Sequence, residues 1–405
     1  MKQENPARPR IYFDNSATSH PKPACVYEAM MRYATEVDAS PGRGGYAEAR
    51  EAGRLMHECR ERLNRLINGA SPDHVVFTLN GTDALNIAIK GLIDPGTRDH
   101  AITTWMAHNS VLRPLNALAE RGDTEQTRIP CDPKTGLVEP DDIARAISPH
   151  TRLVAIVHGS NVTGTLMPIR EIGAICRERE VPFLVDAAQT AGHVPLDVRE
   201  MNIDLLAMPG HKGLMGPLGT GCLYIRPGME EVIRTMREGG TGSLSESDVH
   251  PSNMPDKFEA GSHNAIGIAG LNAGVAWILQ QGVEQLWEHE EELINHLLQR
   301  LDEDDMPGLR LIGPPDFQNR CGVFSIVIDG IEPNELSAIL EDEYGLLTRA
   351  GFHCAPLAHR ALGTDRLGGT TRISFGAFNT EAEVDILCDA LREICGEYAA
   401  TSARS

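Results

Sequence analysis

No Cys-x-x-Cys pair occurs in the chain, and its nine cysteines (25, 59, 131, 176, 222, 321, 354, 388 and 395) are odd in number and scattered. That argues against a disulfide framework or a structural zinc site, and it points to a reducing cytoplasm in which most thiols serve as small buried hydrophobes. No metal site is expected. Apolar runs long enough to span a membrane are also missing. Residues 1–10 are polar and proline-containing with no apolar core, so no secretory signal is read there. Positive charge is scarce: 37 Lys and Arg face 57 Asp and Glu, a net charge of −20. That balance opposes binding to nucleic acid or to an anionic membrane and favours small-molecule or protein partners. The chain has neither an internal repeat nor a low-complexity tract.

At 405 residues, 41% hydrophobic and with 39 glycines, the chain is long enough for a large domain plus a smaller one, each with its own core. Short apolar runs near 74–79, 100–104, 153–158, 182–186 and 205–208 alternate with helical stretches that begin near 82, 111 and 169. The runs are nearly continuous in apolar residues. The pattern predicts a mostly parallel sheet covered by helices on both sides, an α/β fold. A helical stretch from 264 to about 301 leads into an α+β pattern, giving a division into a large domain of 17–279 and a small one of 1–16 and 280–405. Upstream, a strand at 11–18 runs into a polar turn, and helices follow from 24 and over 47–67.

Ligands in such folds bind beyond the carboxyl ends of the strands. Thr82, His108, Asn161, Asp186, Gln189 and Lys212 all fall at such ends. One polar residue there would be a helix cap or a loop residue; six at successive ends form a site. Asn80-Gly81-Thr82 opens a helix, where free amides and a glycine let an anion approach the backbone, although Thr and Asp are also ordinary caps. Lys212 follows Pro209-Gly210-His211 at the end of a buried strand, among glycines. Such a lysine suits an amine that bonds to an aldehyde cofactor. The loop holding Arg43 is glycine-rich and reads either as a connector or as a substrate contact.

Taken together these residues resemble the class V aminotransferase family of pyridoxal-phosphate enzymes, in its cysteine desulfurase and selenocysteine lyase branch. The resemblance is carried by Asp14-Asn15-Ser16-Ala17-Thr18, Gly81-Thr82, His108, Ser160-Asn161-x-x-Gly164, Asp186-x-x-Gln189, Gly210-His211-Lys212, the stretch from Phe258 to Ser262, Arg349-x-Gly-x-His-Cys354, and Arg372 before Asn379-Thr380. It implies the fold type I of these transferases and pyridoxal 5′-phosphate as cofactor. Lys212 would tether the cofactor's aldehyde and afterwards shuttle a proton. Asp186 would pair with the ring nitrogen, His108 stack on the ring and Gln189 bond its oxygen. Gly81, Thr82, His211 and Ser262 would hold the phosphate, with Ser262 reaching in from a second subunit of a homodimer. Asn161 and Arg372 would take the substrate carboxylate, with Arg349 and Arg43 as further substrate contacts.

By the same resemblance, Cys354 selects the chemistry. Its thiolate would take sulfur from L-cysteine as an enzyme persulfide and leave L-alanine, and the flanking His353 and nearby Arg349 are expected to favour the thiolate. Gly351 is expected to free the loop to approach and withdraw. The loop is compact, as in group II desulfurases, which pass the persulfide to an acceptor protein. Pro209 and Gly42 depart from the pattern, standing where relatives carry a phosphate-binding serine and a histidine. Alternative readings are a selenocysteine lyase acting on L-selenocysteine, another transaminase or lyase of the same fold, and a non-catalytic scaffold.

Overall fold

Alternate residues of one central strand face two different cores, and the site is positioned by that strand and its neighbours. The computed structural model describes residues 10–42 and 44–402. Residues 1–9, Arg43 and 403–405 lie outside it. With them go the reading of the N-terminus, the substrate contact expected of Arg43 and most of the terminal stretch 401–405 expected to fray.

Strand β1 (Ile11–Tyr12) leads to helix α1 (Ala24–Arg32), a π-helical turn at Tyr33–Val37 and the long helix α2 (Ala47–Leu66). Then come β2 (Val75–Thr78), α3 (Gly81–Leu92), β3 (Asp99–Thr104), α4 (Asn109–Glu120), β4 (Thr124–Ile129) and α5 (Pro140–Ala146). They are followed by β5 (Thr151–Val157), α6 (Ile169–Glu178), β6 (Phe183–Asp186), β7 (Leu205–Pro209) and β8 (Gly221–Ile225). The seven strands β2 to β8 form one sheet in the order β2-β8-β7-β6-β5-β3-β4. Only β8 runs against its neighbours. In β5, Val154 and Ile156 pack on one face of the sheet, and Leu153 and Ala155 on the other. Both faces are therefore covered, which is why these strands read as unbroken apolar runs.

Helices α7 (Ala265–Gln281) and α8 (Val283–Glu303) meet at a bend of 79°. The sequence reading took 264–301 as one helical stretch. It is broken at Gly282, whose φ of +89° no helical residue adopts and glycine reaches without strain. Beyond it lie β9 (Leu309–Ile312), β10 (Val323–Ile328), α9 (Pro333–Tyr344), β11 (Leu346–Leu347) and β12 (Arg349–Gly351). The short helix α10 (Pro356–Ala361), β13 (Thr370–Ser374) and α11 (Glu381–Ser402) complete the chain. A second, antiparallel sheet has the order β12-β13-β10-β9. The N-terminus joins this part: β1 pairs in parallel with β11, and Phe13 shares a core with Leu293, Phe324 and Leu391.

No single helix among the described residues is long and apolar enough to cross a membrane.

Candidate active site

Strands β2, β3, β5, β6 and β7 point the same way, so their carboxyl ends open on one side of the sheet. The turns there line a cavity of about 340 Å³. Gly81 and Thr82 reach it from the start of α3, and His108 from the cap of α4. Asn161 follows β5, Asp186 and Gln189 follow β6, and His211 and Lys212 follow β7. The structure thus gathers eight of the predicted site residues around one space.

The Lys212 ammonium sits at the cavity wall with its pKa lowered to about 8, because burial disfavours the charge and Arg372 repels it; Asp186 and Asp14 oppose that only in part. Burial likewise lowers His108 to about 4, with Lys212 next in effect, so its imidazole is neutral near pH 7. His108 Nδ1 accepts the amide of Ser110 at 3.0 Å, which leaves the proton on Nε2. Ser110 Oγ in turn lies 2.8 Å from Thr82 Oγ1, so the two helix starts are tied together. Asp186 is almost fully buried, and that burial pushes its carboxyl up, against the amide of Ala188 and the charge of Lys212.

The N-terminus of α3 supplies free amides at Gly81, where Pro209 packs alongside: a methyl on Gly81 would lie 3.4 Å from its ring. Pro209 therefore puts a hydrophobic wall beside the helix start. Two enclosed polar atoms at the cavity, Asn161 Oδ1 and His211 Nδ1, have no partner. This donor set fits a ligand with an anionic tail, an aldehyde and a ring nitrogen: amides at the helix start, an amine shifted toward neutrality, and a buried carboxyl.

Arg372, on β13, is 3% exposed and donates from Nη2 to Asp14 Oδ1 at 2.7 Å and from Nη1 to the Asn161 carbonyl at 3.1 Å. Its Nε has no partner. Asp14 belonged to a motif of the sequence reading without a role; here it is the counter-charge of the buried guanidinium. Arg349 lies 3.8 Å from the same carboxylate and is half exposed. Ser262 does not reach the cavity of its own chain. It lines a neighbouring pocket that shares Gly219 with it.

Cys354 is exposed. Its carbonyl accepts the amide of Asn109 at 2.8 Å, and the carbonyl of His353 accepts from Asn161 Nδ2. The loop freedom expected from Gly351 is not what the structure has: Gly351 pairs with Thr370 in the sheet, and the loop is tied at both residues 353 and 354. The expectation that His353 favours a thiolate is also corrected. Its ring is buried against Thr370, and burial, with Arg372 and His359 after it, drives its pKa well below the usual value, so it carries no charge. Cys354 lies close enough to the buried guanidinium of Arg372 to favour its charge, after Asp14.

The model of the family "Aminotransferase class-V" matches residues 11–387. The chain belongs to the class-V aminotransferase family. Members of that family use pyridoxal 5′-phosphate, and the fold is the type I fold of these enzymes. A "Probable cysteine desulfurase" of Methanothermobacter thermautotrophicus is 36% identical over 392 residues, covering 96% of either chain. A cysteine desulfurase of Escherichia coli O157:H7 is 32% identical over 393 residues, covering 95% of this chain and 93% of the relative. The solved apo structure of the cysteine desulfurase from Thermococcus onnurineus superposes with a TM-score of 0.88 at 33% identity, covering 96% of this chain and 95% of the other.

Against this class-V background five of the other thiols are kept in the unreactive protonated form. Burial pushes Cys131 and Cys395 up to about 11 and Cys59, Cys176 and Cys388 to about 12. Ser110 was missed by sequence reasoning, and Asp14 was named there only within a motif, without a role. A lone Asp after an apolar strand carried a signal only in combination with the distant Arg372.

Proposed function

We propose that this class-V family member is a pyridoxal-phosphate-dependent cysteine desulfurase that converts L-cysteine to L-alanine and holds the sulfur as a persulfide on Cys354. The observation that carries the reading is the exposed Cys354 thiol on a loop hydrogen-bonded beside His108, within electrostatic reach of Arg372. When bound, the cofactor supplies an aldehyde that takes the substrate's amine and a ring that withdraws electrons from its carbons.

The rest falls to the chain's own residues. Gly81, Thr82 and His211 would hold the anionic tail, and Asp186 the proton of a ring nitrogen. His108 would cover the ring with a neutral imidazole, and Gln189 would bond its oxygen. The Nε edge of Arg372 receives the substrate carboxylate, helped by Asn161 and Arg349. The neutral amine of Lys212 takes the proton from the substrate's Cα and gives one back. The thiolate of Cys354 attacks the substrate sulfur: an S–S bond forms as the Cβ–S bond breaks. The electron pair passes to the carbon, which takes a proton and ends as the methyl group of alanine.

We divide the chain into a cofactor-binding domain of 17–279 and a smaller domain of 1–16 and 280–405. Two chains are proposed to pair so that Ser262 enters the neighbour's cavity, a role supported by its place one pocket away and by the exposed Leu79 lining the same pocket. Phe352, exposed two residues before Cys354, gives an acceptor protein an apolar contact beside the persulfide. All nine cysteines are unpaired, which supports a reducing cytoplasm.

The test is incubation with pyridoxal phosphate and L-cysteine, with and without a reductant. With the reductant, alanine and sulfide in equal amounts are expected; without it, alanine is expected with the sulfur retained on the protein as persulfide. Pyruvate, or a requirement for a keto acid, would overturn the reading in favour of another lyase or transaminase. Sedimentation at twice 44.1 kDa is the expected outcome for the pair.

A further inference from the structure

A second, smaller cavity of about 40 Å³, room for a water or two, shares Lys212 and Gln189 with the first. His193, His289 and Glu290 also line it, and none of them has a part in the reaction described above. His193 Nδ1 lies 2.5 Å from Glu290 Oε2 on α8. The backbone of Gln189 also favours the charged form of the ring. The ring edge packs on Gly213, next to Lys212: a methyl there would lie 2.5 Å from His193 Cδ2. One side chain thus touches the loops that carry both Gln189 and Lys212.

Glu290 continues the connection. Its Oε1 accepts the amide of Gly322 at 2.6 Å, and the carbonyl of Gly322 accepts the amide of Phe375 at 2.8 Å. Phe375 directly follows β13, the strand of Arg372. We infer that His193 and Glu290 are positioning residues, a charged clasp that sets the span between the Lys212 and Gln189 loops and the Arg372 strand. A neutral pair would tie the same elements less strictly, since a charge-assisted bond tolerates less change of length and angle. Burial opposes the imidazolium, but the charge and hydrogen bond of Glu290 and the Gln189 backbone outweigh it, and the ring's pKa is raised from the ordinary histidine value. The other titratable groups around the clasp are His158, His289, Cys321 and Lys212.

The clasp rests on the proposed roles of Lys212 and Arg372, and its test separates the two. His193→Gln, Glu290→Gln and their double variant are compared with the wild-type holoenzyme. In each single variant the KM for L-cysteine is expected to rise about tenfold with kcat within about twofold, and the double variant to be no worse than the poorer single one. Retention of pyridoxal phosphate through gel filtration, read from its visible absorption, is expected to fall alongside. Losses that multiply in the double variant overturn the inference, as does a lower melting temperature with unchanged KM and cofactor retention. If a single variant fails to fold, Glu290→Asp keeps the charge but is too short to hold His193 and Gly322 together; an unchanged KM there overturns it too. If the wild type forms no alanine, the desulfurase reading fails, while cofactor retention still reads the clasp.

Discussion

The carbonyl of Cys354 accepts the amide of Asn109 at 2.8 Å, one residue past His108, whose ring lines the Lys212 cavity. The two residues are 245 positions apart in sequence, yet the thiol that would receive sulfur is fixed to the turn that would cover the cofactor. His353 and Cys354 both adopt left-handed backbone conformations, φ +47° and +59°, which the bonds to Asn161 and Asn109 hold in place.

Replacing Cys354 with Ala removes the sulfur acceptor and leaves the cavity intact. Sulfide release from L-cysteine falls by roughly a thousandfold or more, while cofactor absorption is unchanged. Selenide release from L-selenocysteine is retained in part, because selenium leaves more readily without a nucleophile. Equal loss of both would remove the persulfide from the mechanism.

The lowered pKa of Lys212 fixes a pH dependence. Only the neutral amine attacks an aldehyde, so uptake of pyridoxal phosphate by the apoprotein accelerates as pH rises from 7, with a midpoint at about 8 and a plateau reached about one unit above it. Stopped-flow absorbance over pH 6–10 reads it. A midpoint near the ordinary lysine value would show that the amine is not held by burial and Arg372.

Arg372→Lys keeps a positive charge but loses the planar fork that serves Asp14, Asn161 and a carboxylate together. The expected loss is about 2 kcal/mol, roughly thirtyfold in kcat/KM for L-cysteine. Asp14→Asn is expected to lower kcat/KM less, since Asp14 orients the guanidinium without meeting the substrate.

The peptide leading to Ser262 is held by Glu259, whose two oxygens take Arg60 at 2.7 Å each and whose Oε1 also accepts the amide of Phe77. Both side chains are buried. Glu259→Gln leaves Arg60 without a counter-charge and is expected to cost about 3 kcal/mol in urea denaturation. Burial opposes the Glu259 charge, yet Arg60 and His263 hold its pKa below the usual carboxylate range. Its contribution is therefore full above the unfolded carboxylate value and is lost as pH falls through the lower folded one.

Much of this was legible because buried parallel strands write themselves as apolar runs and end at polar turns. Lys212, Asp186 and His108 were found that way, and the resemblance added Cys354 and Arg372. What sequence periodicity missed had weaker signatures. Strand β4 (Thr124–Ile129) is a polar edge strand, and β8 follows a turn rich in glycine and proline without a helix before it. The charge state of His353 depends on burial against Thr370, seventeen residues on. The pairs Asp14–Arg372 and His193–Glu290 join distant parts of the chain, and no local spacing announces them.

A side chain that carries loosely held sulfur endangers every reactive thiol around it, because a persulfide exchanges with thiolates and hardly at all with thiols. Cys59, Cys131, Cys176, Cys388 and Cys395 are kept protonated by the same burial that packs the two cores. Cargo loaded at residue 354 therefore has no ready exit into these five thiols, and its way off the protein is toward whatever docks from outside.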